Sequence, residues 1–159
     1  MRDKLKIKLK TLVGLLGLGV FFVMYLLLFY PYERIKLIDE KTLQISKPPS
    51  GFVNGKFLTI EYTYGRIISP SIENYNVELV TFLSDELAEN HARKTLETFN
   101  NSEFVYYEGE TFLKNGPKAY IFFQEPSKLY TLLTIKGNKL LLGVGKSKER
   151  LKRVIEWLL

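Results

Sequence analysis

The chain has 159 residues, 46% of them hydrophobic and 25% charged, with 23 Lys and Arg against 17 Asp and Glu and no cysteine. That length holds one ordinary domain plus a short extra segment, and the missing cysteines exclude a disulfide framework and thiolate zinc ligands. The net charge of +6 does not make a nucleic-acid platform: four of those charges lie in residues 1–10, and the remainder carries eighteen Lys and Arg against sixteen Asp and Glu.

The leader, residues 1–10, places Arg2, Lys4, Lys6, Lys8 and Lys10 ahead of residues 11–30, which hold no charge at all. Twenty helical residues span about 30 Å, the thickness of a bilayer's hydrocarbon core, with every backbone group bonded internally. Seven Leu, three Val and three Phe in this run favour insertion by roughly 4 to 8 kcal/mol, before Gly14, Gly17, Gly19 and Tyr25 reduce the gain. A cleaved signal is disfavoured, because the run is too long and ends in Tyr30-Pro31-Tyr32 without a small-residue cleavage triplet. The expectation is a retained, single-pass transmembrane helix in a cell membrane, terminated by Pro31. The lysine-rich leader predicts a cytoplasmic N-terminus and an outer domain over residues 31–159. The lipid bilayer is then the first partner, with anionic headgroups facing the leader. Gly14, Gly17 and Phe21 fall near one helix face and are candidates for contact with a second transmembrane helix, although no Gly-x-x-x-Gly spacing is present.

Beyond Pro31 the pattern turns to strands. Phe57 to Tyr64 alternates cleanly, with Leu58, Ile60, Tyr62 and Tyr64 on one side and Thr59, Glu61 and Thr63 on the other. Further β-prone runs are Arg34 to Ile38, Thr42 to Ser46, Asn76 to Leu83, Phe104 to Tyr107, Lys118 to Gln124, Lys128 to Ile135 and Lys139 to Val144. Asn54-Gly55, Asn115-Gly116 and Gly137-Asn138 lie between such runs and predict tight reversals, hence a mainly antiparallel sheet. The period changes to about 3.6 over Asp85 to Phe99 and again over Lys148 to Leu159. Ser84 and Ser147 are the expected caps; Ala88, Ala92, Thr95, Leu96 and Phe99 form the inner stripe of the first helix, and Leu151, Val154, Ile155 and Leu158 that of the second. The fold class is α+β: one N-terminal transmembrane helix, then a mainly antiparallel sheet packed by two helices.

The order of elements from Ser84 to Leu159, a helix, meandering strands and a terminal helix, resembles the α/β/α sandwiches of PsbP-like extracytoplasmic domains. The resemblance implies binding and accessory roles rather than one reaction, and no functional residue is carried across from it.

Chemistry-bearing motifs are sparse. Gly145-Lys146-Ser147 ends as a phosphate-binding loop does, but the glycine required five residues before Gly145 is Leu140. An anion held at that helix N-terminus by Lys146 is the alternative to a plain capped turn. His91 is the sole histidine, so zinc would need carboxylate ligands, and a base role beside Glu86 or Glu89 competes with simple packing. No Gly-x-Ser-x-Gly elbow occurs. Glu108 and Glu110 flank Gly109 in an expected turn, where alternate residues project together toward a cation or glycan. Asn100-Asn101-Ser102 has the form of a glycosylation acceptor at Asn100, or a helix end using the left-handed tolerance of Asn. Tyr62, Tyr64, Tyr120 and Phe122 are candidates for an aromatic binding surface, against the alternative that helices cover them. The sequence therefore predicts no catalytic residues, metal or cofactor, and no nucleic-acid partner. It predicts a membrane-anchored accessory or binding protein contacting a membrane or envelope protein, with a small subunit of an integral complex and an anchored envelope enzyme as alternatives.

Overall fold

A computed structural model describes residues 2–114 and 116–159. Helix α1 (Arg2–Phe29) is unbroken through the basic leader, about 42 Å at 1.5 Å per residue. Its one hydroxyl in the first half is accounted for, since Thr11 Oγ1 donates to the Ile7 carbonyl at 2.9 Å. The peptide N–H of Tyr30 still bonds back to Leu26 at 3.3 Å, and Pro31, which has no N–H, ends the helix and begins the first strand.

The chain then forms β1 (Pro31–Thr42), β2 (Phe52–Arg66), β3 (Ser69–Phe82), α2 (Asp85–Asn100), β4 (Val105–Phe112), β5 (Lys118–Gln124), β6 (Leu129–Lys136), β7 (Lys139–Gly145) and α3 (Lys148–Leu158). The seven strands make one sheet in the order β1-β2-β3-β7-β6-β5-β4, with antiparallel pairing through its second half. This is the α+β class that alternation and turn chemistry require. The chain separates into two compact units: residues up to Arg34 together with Thr63–Ile72, and Ile35–Tyr62 together with Glu73–Leu159.

In the second unit the two helices cover opposite sheet faces. Leu133 and Leu142 are partners across β6 and β7 and belong to the cluster under α2, with Val80, Phe82, Ala88, Ala92 and Leu140. One residue along, Leu132 pairs with Gly143, whose hydrogen-for-methyl economy lets Leu151 and Ile155 of α3 lie against the strand. Strand alternation therefore assigns α2 and α3 to different sides. Both helices start as their sequence demands, with Ser84 Oγ accepting from Leu87 N and Ser147 Oγ from Arg150 N. Leu151, Val154 and Ile155 are fully buried, roughly 1.5 to 3 kcal/mol each relative to exposure.

Three local expectations are corrected. Thr42 to Ser46 is not a separate strand, because β1 ends at Thr42 and the following Pro48-Pro49 has no N–H to offer a ladder. Asn54-Gly55 lies inside β2 rather than at a reversal; Gly55 is there for space, since a Cβ would come within 3.0 Å of Leu43, whose N–H bonds the Gly55 carbonyl. Glu108-Gly109-Glu110 is interior to β4, with a register break between Tyr107 and Gly109. Of the expected Asn115-Gly116 reversal, Asn115 lies outside the described residues. Gly137-Asn138 does turn the chain, with Gly137 at φ 59° and Asn138 Nδ2 donating to the Phe82 carbonyl at 2.8 Å.

Candidate functional site

The register break in β4 decides where chemistry collects. In an unbroken strand Glu108 and Glu110 would share a face, as the sequence suggests, but the extra residue at the bulge turns them apart. Glu108 pairs with Lys148 of α3 at 3.5 Å, whereas Glu110 pairs with Lys118 of β5 on the side of α2. A joint cation site at the two carboxylates is thereby excluded. The same bulge brings Tyr107 beside Glu110, opposite Phe122 and Tyr120. Gly109 at φ 144° supplies a backbone conformation that side chains resist.

The result is a groove between α2 and the β4–β5 edge, formed by two adjoining cavities of about 430 and 210 Å³ that share Leu96 and Tyr120. Glu89, Arg93 and Lys118 line its wider part, and Asn100, Tyr107 and Glu110 its narrower end. The Lys118 ammonium stands 5.4 Å from the Tyr120 ring centre and is held charged above its ordinary range chiefly by its hydrogen bond to Glu110. The Tyr107 phenol is pushed up by desolvation and by Glu110, so it stays protonated at neutral pH. Two tyrosine faces, an ion pair and a partly apolar floor suit broad contact with a peptide-like or glycan-like surface.

The four aromatic candidates divide. Tyr62 is buried under α3, where Arg153 reaches its hydroxyl at 3.1 Å, and its ring meets Tyr75 at 6.2 Å between centres. Phe122 is buried against Phe99 of α2 and Tyr107. Both are core because helices cover their faces. Tyr64 and Tyr120 are half-buried, and Tyr120 belongs to the groove. Asn100 is exposed at the last residue of α2 and lines the narrow end. Asn101 caps that helix in a right-handed conformation, φ −92°, so the left-handed helix end is corrected.

His91 lies against Phe82, ring centres 5.2 Å apart, and burial with Lys94 nearby lowers its pKa; it is a packing residue outside the groove. Lys146 is exposed beside the Ser147 cap. Among the described residues no cluster of three metal-ligating side chains occurs. On α1, Gly14 and Gly17 face open space and Phe21 is exposed. An apolar furrow lined by Leu12, Leu15, Leu16, Gly19, Val20, Val23 and Met24 runs along the opposite side, by the 100° step of the helix. Sequence reasoning did not anticipate the groove's Tyr107, Arg93 and Lys118; the glycine inside an aromatic, β-prone run was the available signal for a bulge.

No protein-family model matches the sequence, and no curated protein matches it. Among solved structures the chain is similar to the extracellular domain of PknH from Mycobacterium tuberculosis, at 9% identity and TM-score 0.41, over 80% of this chain and 81% of that one. At that score no property of that domain transfers to this chain.

Proposed function

We propose that this chain is a single-pass protein held at a cell membrane by α1, with its leader cytoplasmic and its α+β body outside, acting as an accessory or binding module through the α2 and β4–β5 groove. One observation carries the reading: Lys4–Phe29 is long and apolar enough to cross a bilayer, and none of its most apolar stretch is buried by the rest of the chain. A soluble protein would bury such a helix, because bare apolar surface of this extent costs about 25 cal/mol per Å² in water. Tethering then concentrates the groove near other membrane proteins. Alkaline carbonate extraction and protease added to intact cells test this. The chain stays with the membrane and loses its C-terminal half to protease; release by carbonate, or a protected C-terminal half, refutes the reading.

The furrow around Gly19 favours a second reading, a small subunit of an integral complex gripped through α1. A mild-detergent pull-down separates the two. Loss of a stoichiometric partner on Gly19→Leu supports the subunit, whereas loss on Tyr120→Ala supports the groove.

A further inference from the structure

Ile67 and Ile68 are the entire connection between β2 and β3. Water-facing two-residue hairpin loops are built from Gly, Asn or Asp, which take positive φ readily; β-branched residues do not suit them. Here neither isoleucine has positive φ, and Gly65, one residue before Arg66, takes φ 109° instead. The two side chains remain 46% and 56% exposed, and Ile72 on the returning strand is 58% exposed. No acidic residue occurs between Glu61 and Glu73, so the tip is apolar and cationic.

This tip belongs to the same compact unit as α1. The Arg66 guanidinium lies over the Phe29 ring, 5.8 Å from its centre, and Phe29 is the last residue of the span. Among the residues of α1 whose exposure is described, Leu26, Leu27 and Leu28 lose part of it. The hairpin tip therefore sits at the depth where the span leaves the hydrocarbon. At that level an arginine meets lipid phosphates while flanking apolar side chains enter the acyl boundary.

We infer that the Ile67-Ile68 tip, with Arg66 and Ile72, is a second membrane-contacting element that dips into the outer leaflet's headgroup layer and fixes the orientation of the first unit against the lipid surface. The inference rests on the membrane reading of α1, and its occupant is lipid, not a second protein.

Because the chain has no cysteine, single spin labels at Ile68→Cys and, separately, Val20→Cys report depth in the full chain. The chain is reconstituted at high dilution into phosphatidylcholine vesicles containing phosphatidylglycerol. The readout is the ratio of collision rates with oxygen and with a water-soluble nickel chelate, referred to free label in buffer. Both labels are expected to exceed the free-label ratio several-fold, with position 20 the higher. A high ratio at position 20 with an aqueous ratio at position 68 overturns the inference and leaves the anchor intact. Aqueous ratios at both overturn the anchor and the inference together. Spin–spin broadening at position 68 identifies a second copy on the tip and overturns lipid as its occupant. If Ile68→Cys fails to fold, Ile67→Trp in a Trp157→Phe background gives the same decision: quenching by brominated lipid supports the tip's immersion, and its absence overturns it.

Discussion

Substituting Gly145 by alanine tests how the α3 side of the sheet is packed. A Cβ built at Gly145 falls 2.1 and 2.3 Å from the Tyr75 ring carbons Cδ1 and Cε1, where apolar contacts need about 3.5 Å or more. The ring must therefore retreat by more than about 1 Å. It is fully buried, meets Tyr62 edge-on, and its hydroxyl donates to Glu73, which also accepts from Arg150 of α3 at 2.8 Å. Overpacking typically costs 1 to 3 kcal/mol, and a shift that also disturbs a charged hydrogen bond belongs at the upper end, about 3 kcal/mol. At about 4 °C per kcal/mol for a domain of this size, the melting midpoint falls by roughly 12 °C. Gly143→Ala is the internal comparison. There the obstructing atoms are the methyl ends of Leu151 and Ile155 at 2.8 and 2.9 Å, which relax by rotation, so the loss is only about 1 kcal/mol. The assay is urea unfolding of the full chain in mild detergent, followed by near-UV circular dichroism of the tyrosines. A Gly145→Ala variant no less stable than Gly143→Ala refutes the packing argument. So does a Gly145→Ala, Tyr75→Leu double variant whose loss merely equals the sum of the singles.

Ser147→Ala removes the acceptor for the Arg150 N–H at the start of α3 and is expected to cost about 1 kcal/mol in the same titration. The pKa of His91 is lowered in the folded state by burial and by Lys94. The unfolded chain therefore binds more protons as pH falls below the free histidine value of about 6.5. Stability is lost as pH drops from there through the folded pKa, and His91→Gln should remove that acid-side loss; an unchanged pH profile contradicts it. Tyr75 behaves oppositely, its phenol pushed up by desolvation first and then by Glu73, so stability declines above about pH 10, where the unfolded chain ionises more readily. Tyr75→Phe should flatten that alkaline decline relative to the parent. Tyr107→Ala and Tyr120→Ala should weaken capture of a groove partner at least about tenfold, as truncated interface aromatics do, without altering carbonate resistance.

The legible part of this protein was whatever depends on nearest neighbours along the chain. The uncharged run from Thr11 to Tyr30, the alternation through Tyr62, and the capped stripes beginning at Ser84 and Ser147 each encode their element locally, because helix and strand periods impose their own side-chain spacing. What pairing alone decides was not legible. Gly55 reads as a turn residue until Leu43 is found against it, and Glu108 and Glu110 read as one site until a bulge sends them to α3 and to the groove. Tyr62 and Phe122 look like a surface until α3 and α2 cover them. The Ile67-Ile68 tip gains meaning only from Arg66 lying over Phe29, residues far apart in the chain. Sequence by itself determined the class of fold and the membrane-length rod. Tertiary structure decided which polar groups share a face, because a single inserted residue inverts a strand's sidedness and only its partner strand fixes where that insertion falls.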